Sequence, residues 1–137
     1  MFSYGGYLGD DLSNDDKVAY CFHSVDGYSK VGSYVGNGST DGTFVYTGFR
    51  PAWVMLKRTN STGNWTIMDS ARDTFNVLGE RLYANVSNAA SDATIVDFLS
   101  NGFKFRVTAN DQNGSGQTYI YLAFAEAGGP FKFANAR

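Results

Sequence analysis

The stretch Ala52-Trp53-Val54-Met55-Leu56-Lys57-Arg58, Asn60-Ser61-Thr62-Gly63-Asn64, Trp65-Thr66-Ile67-Met68-Asp69 decides the fold class. Two short runs rich in apolar, aromatic and β-branched residues flank a cluster of turn residues, the pattern of an antiparallel hairpin. Pro51 cannot donate to a ladder, so it belongs at the start of the first run and not inside it. Side chains alternate across a strand, which puts Trp53, Met55 and Lys57 on one face and Val54 and Leu56 on the other. Both faces are then largely apolar at the centre. A two-layer sandwich buries one face of each sheet, so this strand predicts a further cover, either a second subunit or an arm of the same chain.

Outward from this hairpin the same alternation of β-like runs and turn clusters continues. Strands are expected at 17–22, 30–35 and 43–47, with Gly36-Asn37-Gly38-Ser39-Thr40-Asp41-Gly42 supplying the tight turn between the last two. Weaker runs follow at 81–86 and 93–99. Phe103, Phe105 and Val107 alternate with Lys104, Arg106 and Thr108, as in a half-buried antiparallel strand. A polar turn is read at 110–117, and the near-continuous apolar run at 118–126 reads as a central strand of its sheet. The segment 70–78 is the least β-like and is read as a long loop or a single helical turn. The domain organisation that results is an arm at 1–16, a β-sandwich at 17–126 and an extended tail at 127–137.

Composition agrees with an all-β chain. Sixteen glycines, 16% aromatic residues, and only Glu80 and Glu126 among 13 acidic side chains leave few surface helix formers. A length of 137 residues suits one domain. Met1-Phe2-Ser3-Tyr4-Gly5-Gly6 has neither the basic start nor the apolar run of a signal peptide, and no apolar stretch approaches the ~20 residues of a membrane helix. A soluble protein is expected. With a net charge of -2 and 11 scattered basic residues, no nucleic-acid partner is expected either.

The reactive residue types are few. Cys21 is the one cysteine and is expected to be a small buried hydrophobe. His23 is the one histidine, which excludes a His-rich metal site and leaves a single base for any triad. Ser24 and Asp26 beside it are too close in sequence to form one. Asp69 and Asp73 are the mid-chain carboxylate pair, but Arg72 lies between them, and a structural ion pair of Asp69 with Arg72 is the expected role. No enzyme activity is expected. The four Asp of Asp10-Asp11-Leu12-Ser13-Asn14-Asp15-Asp16 can attract Ca²⁺, yet they lack the spacing and distal Glu of a calcium loop. They read as a solvated turn, with no cofactor or metal. Carbohydrate is a better match to the chain, since sugars are held by aromatic faces and by short polar side chains at turns. Trp65 beside Asn64, Tyr83 near Asn85, and Tyr28 are the candidate contacts. The five N-x-[ST] sequons, at Asn37, Asn60, Asn64, Asn85 and Asn113, read as turn residues and not as glycan sites.

Several strings share a further likeness. Val18-Ala19-Tyr20-Cys21-Phe22-His23-Ser24, Gly27-Tyr28-Ser29-Lys30-Val31-Gly32-Ser33-Tyr34, Gly48-Phe49-Arg50-Pro51-Ala52-Trp53-Val54-Met55-Leu56-Lys57 and Trp65-Thr66-Ile67-Met68-Asp69-Ser70-Ala71-Arg72 resemble the C-terminal modules of marine bacteriophage tail-fibre and virion structural proteins. Gly36-Asn37-Gly38, Ser100-Asn101-Gly102-Phe103-Lys104-Phe105, Tyr119-Ile120-Tyr121-Leu122-Ala123-Phe124-Ala125-Glu126 and the segment 130–137 extend it over about 17–137. This resemblance implies a virion location on the particle surface or tail, synthesis in the host cytoplasm, contact with other virion proteins, and either a receptor-binding adhesin or a purely structural role in capsid decoration or fibre assembly. Phe49-x-Pro51-x-x-Val54, with Gly102-Phe103 and a closing apolar strand, is similar to H-type lectins. That likeness implies an antiparallel β-sandwich of lectin-like or jelly-roll-like type, six strands, a homotrimer and a host-surface glycan as ligand. Tyr119 and Tyr121 stand where that family has its sugar-site His and Trp, so no lectin site residue carries over.

Overall fold

A computed structural model describes residues 20–90 and 93–126. The described residues form eight strands and no helix: β1 (Ser29–Val35), β2 (Phe44–Tyr46), β3 (Pro51–Arg58), β4 (Thr66–Asp69), β5 (Leu82–Tyr83), β6 (Val96–Leu99), β7 (Gly102–Phe105) and β8 (Thr118–Ala125). They pair antiparallel throughout, as a five-stranded sheet β1-β8-β3-β4-β5 and a three-stranded sheet β2-β7-β6. The chain is a β-sandwich, with eight strands where the lectin likeness implies six. The hairpin read around Gly63 is present as β3–β4, with Pro51 at the first position of β3 and Val54 opposite Met68. The apolar run at 118–126 becomes β8, which has a partner on each side. Ser70–Leu78 is a long loop, and its end at Leu78 bridges to Val96.

The expected strand at 17–22 is corrected in its described part. Tyr20, Cys21 and Phe22 join no sheet, and Phe22 lies against Phe124 on the outer face of the five-stranded sheet at 6.2 Å between ring centroids. Cys21 is accordingly exposed and not a core residue, because the strap lies outside the sandwich, open to solvent along its length. The rest of the arm with its Asp10–Asp16 cluster, and the tail from 127 onward, lie outside the described residues.

The core sits between the sheets. Val54, Leu56, Met68, Tyr119, Tyr121 and Ala123 face Val45, Val96, Phe98, Phe103 and Phe105. Burial of each large side chain contributes about 1.5–3 kcal/mol. Tyr34 is stacked on Tyr119 at 4.8 Å and on Phe105 at 5.1 Å, while Phe103 meets Tyr121 edge-on at 5.4 Å, so the aromatic contacts join the two layers.

One end of this core is closed by polar groups. The polar turn read at 110–117 is buried at its centre: Gln112, Asn113 and Gly114 all lie inside. Asn113 Nδ2 donates to Asn37 Oδ1 at 3.0 Å and to the carbonyls of Ser39 and Val107 at 2.9 Å, and its Oδ1 accepts from the Asn37 amide at 3.1 Å. Tyr34 donates to the Gln112 carbonyl and Tyr119 to the Asn110 carbonyl, both at 2.6 Å. Burial, with Tyr119 nearby, pushes the Tyr34 hydroxyl well above the ordinary tyrosine range, so it remains a donor. The sequence pattern missed this burial because polarity alone marks a segment as exposed, whereas here the Asn113 side chain and the two tyrosine hydroxyls pair the loop with its surroundings, and Gln112 Oε1 alone among its buried side-chain atoms is left without a partner. Asn113→Ala removes these bonds and leaves buried partners unsatisfied. It is expected to lower the unfolding free energy by about 3 kcal/mol in urea denaturation, and a loss below about 1 kcal/mol would contradict the assignment.

Candidate functional site

The second apolar face of β3 becomes the outer face of the five-stranded sheet. Register aligns Val31, Leu122, Met55, Ile67 and Leu82 in one row across it, with Ile120 beside them. Tyr20 and Phe22 of the strap stand over one side of this row. Between strap and sheet runs a groove of about 460 Å³ lined by Tyr20, Phe22, Val31, Met55, Trp65, Ile120 and Leu122, with Gly32 and Tyr121 at its floor. None of its lining residues is charged. The two-sided apolarity of β3 was thus visible in the sequence, and the strap is part of what covers it.

Trp65 closes one end of the groove on a fixed support. Its amide donates to Asn85 Oδ1 at 2.9 Å, its carbonyl accepts from the Ala84 amide at 3.0 Å, and Asn85 Nδ2 donates to Asn64 Oδ1 at 3.0 Å. The two asparagines therefore join the end of the β3–β4 turn to the segment after β5 and anchor the Trp65 backbone at the start of β4. Of the sequence-predicted contacts, Asn64, Trp65 and Asn85 come together. Tyr83 is on the same edge but pairs with buried Thr66, which places it on the opposite side of the sheet from Trp65, under the Arg81 guanidinium at 5.9 Å. Tyr28 is 60% exposed and meets Phe124 at 5.7 Å, at the far end of the outer face. Met55 was placed by its alternation on the second apolar face of β3, whereas Ile120, Leu122 and Val31 were not singled out, and their alternation with core residues on neighbouring strands is the signal that marks them.

The carboxylates examined for catalysis are held by their own loop. Asp69 Oδ2 accepts from Arg72 Nε at 2.7 Å, and its Oδ1 accepts from the amides of Ala71 and Arg72 at 3.1 and 2.9 Å. Asp73 Oδ2 accepts from the amides of Gly79 and Glu80 at 2.6 Å. Ser24 Oγ accepts from the Val31 amide, and the His23 carbonyl accepts from Ser29 Oγ. Partial burial pushes the Asp69 carboxyl up, and the hydrogen bonds and charge of Arg72 outweigh it, so the group sits below the usual carboxylate range. No group of His, Cys, Asp and Glu among the described residues is arranged to hold a metal ion, and these residues contain no helix long and apolar enough to cross a membrane.

A family model described as a domain of unknown function, DUF7483, matches residues 2–128, and the chain belongs to that family. No curated protein and no solved structure matches it.

Replacing Arg72 with Ala strips the guanidinium from Asp69 while leaving the turn amides. The expected loss at neutral pH is about 1 kcal/mol. Because the Asp69 carboxyl is lowered in the folded state, its contribution is complete above the ordinary aspartate range near ~4 and disappears as pH falls through the lower folded value. The variant should therefore lose less stability on acidification than the parent chain. Thermal melts of both proteins at neutral and acidic pH measure this, and identical melting would remove Arg72 from the role.

Proposed function

We propose that this DUF7483 domain is a non-catalytic binding module of a phage tail fibre or virion, which assembles as a homotrimer and contacts host-surface carbohydrate through the Trp65 edge. The observation that carries the reading is Trp65, whose backbone is held by Asn85 and Asn64 and whose side chain lines an uncharged groove. A large aromatic side chain on an anchored backbone can meet the apolar face of a sugar ring without rearrangement of the chain, and turn asparagines are suited to its hydroxyls. The sequence resemblance over 17–137 supplies the virion setting. The absence of a catalytic role rests on Asp69 and Asp73, whose oxygens already serve the 69–80 loop.

A second reading has its own observation. The groove is walled by aliphatic and aromatic side chains, the surface a protein partner or another copy of the chain would bury. On that reading the domain is structural, serving fibre assembly or capsid decoration without a sugar ligand.

A glycan array and whole-cell adsorption with the purified protein separate the two. The adhesin reading expects sugar-competed adsorption that falls about tenfold or more in Trp65→Ala, with fold and oligomeric state retained. Tight association with another virion component and no sugar-competed adsorption would establish the structural role instead.

A further inference from the structure

The outer face of the three-stranded sheet carries a different arrangement from the groove. Register places Phe44, Lys104 and Asp97 in one row across β2, β7 and β6, and Tyr46, Gly102 and Leu99 in the next. Gly102 has no room for a side chain: a Cβ there would stand 2.2 Å from the Val45 carbonyl oxygen and 3.0 Å from two carbons of the Phe44 ring. The Phe44 ring therefore lies down over the glycine. Beyond it, Gly48 takes the left-handed conformation, at φ +86, and the hydroxyl end of Tyr46 lies alongside it. Phe44 is 43% and Tyr46 62% exposed, and neither ring meets another aromatic ring among the described residues. Gly102 thus clears space beneath the exposed Phe44 ring, and the exposed Tyr46 ring lies beside the Gly48 turn.

Along the same face, the platform runs into a set of charges. Lys104 Nζ pairs with Asp41 Oδ1 at 2.5 Å, Arg106 Nη1 lies 3.9 Å from the same oxygen, and Arg106 Nε donates to Asp97 Oδ2 at 2.6 Å. Two acids and two bases balance, so the face selects neither an anion nor a cation. It offers an ammonium and a guanidinium as donors beside an Asp41 that is 81% exposed at its side chain as acceptor. An apolar ring surface next to a neutral row of alternating donors and acceptors matches a ligand with one C–H face and a rim of hydroxyls, each of which both donates and accepts.

We infer that Phe44, laid over Gly102, and Tyr46, alongside Gly48, form with Asp41 and Lys104 a saccharide-binding platform for uncharged pyranosides, separate from the Trp65 edge. The inference rests on the reading that the domain meets carbohydrate, and it gives the face and the charge class of the sugar.

Amide NMR spectra of the full chain, titrated with methyl glycosides of glucose, galactose, mannose and N-acetylglucosamine and with their linear tetrasaccharides, test it. Saturable shifts are expected at Phe44, Tyr46, Gly102 and Lys104. Tyr46→Ala should weaken that binding about tenfold, Tyr46→Phe should keep it, and Trp65→Ala should leave it unchanged. No saturable shift on this face with any probe, or shifts indifferent to Tyr46→Ala, would overturn the inference. So would a change of sedimentation from oligomer to monomer in Tyr46→Ala, which would make the face an interface between copies. Shifts confined to the Trp65 edge would overturn this platform and leave the earlier reading standing. Shifts confined to the platform would do the reverse.

Discussion

Burying the loop 109–117 at the end of the sandwich imposes a condition on everything around it, because a buried amide or carbonyl without a partner costs about as much as a lost hydrogen bond. Asn113 meets the condition by reaching three segments at once: the turn at Asn37 and Ser39, the chain after β7 at Val107, and its own loop. Tyr34 and Tyr119 meet it from below, each spending its hydroxyl on a loop carbonyl while its ring fills the core. The positions of β1, β7 and β8 at that end are thereby coupled. The aromatic stack and the polar loop are one structural unit, and removing either leaves the other unsupported.

The sheet edges follow a related logic. The edge of β6 is met by the loop before it: Asn76 uses both ends of its side-chain amide on the Phe98 backbone, and Leu78 exchanges two backbone bonds with Val96. At β1, Val25 bridges to Ser29 and Ser24 Oγ accepts from the Val31 amide. Covered edges direct association away from strand addition. The two outer sheet faces differ: one is apolar, with a groove and a tryptophan, and the other sets exposed aromatic rings against a balanced set of charges.

The candidate site was legible in proportion to how local its signals were. Trp65 with Asn64 is a sequence neighbourhood, and their connection to Asn85 follows from β4 and β5 pairing a short distance along the chain. Tyr83 and Tyr28 failed to join them for reasons no composition argument contains: a one-residue step in register sends Tyr83 to the other side of the sheet, and Tyr28 falls at the opposite end of the outer face. Phe44 and Tyr46 were passed over because their alternation with Val45 reads as an ordinary half-buried strand. Only Gly102, distant in sequence, makes room for the Phe44 ring to lie over its strand neighbour.

The sequence by itself determined that the chain is all-β, that Pro51 begins a strand, that β3 is apolar on both faces, and that Asp69 would be matched with Arg72. Each of these depends on residues within a few positions of one another or on the two-residue period of a strand, which a linear chain displays directly. The tertiary structure alone decided that Asn113 is buried, that Cys21 is exposed, and that the strap at Tyr20 and Phe22 lies on a sheet instead of within one. Those outcomes turn on which distant segment arrives alongside: a polar loop is internal when partners converge on it from elsewhere in the chain, and a β-like run stays out of a sheet when β1 already flanks β8 and the face, not the edge, is left for it to cover.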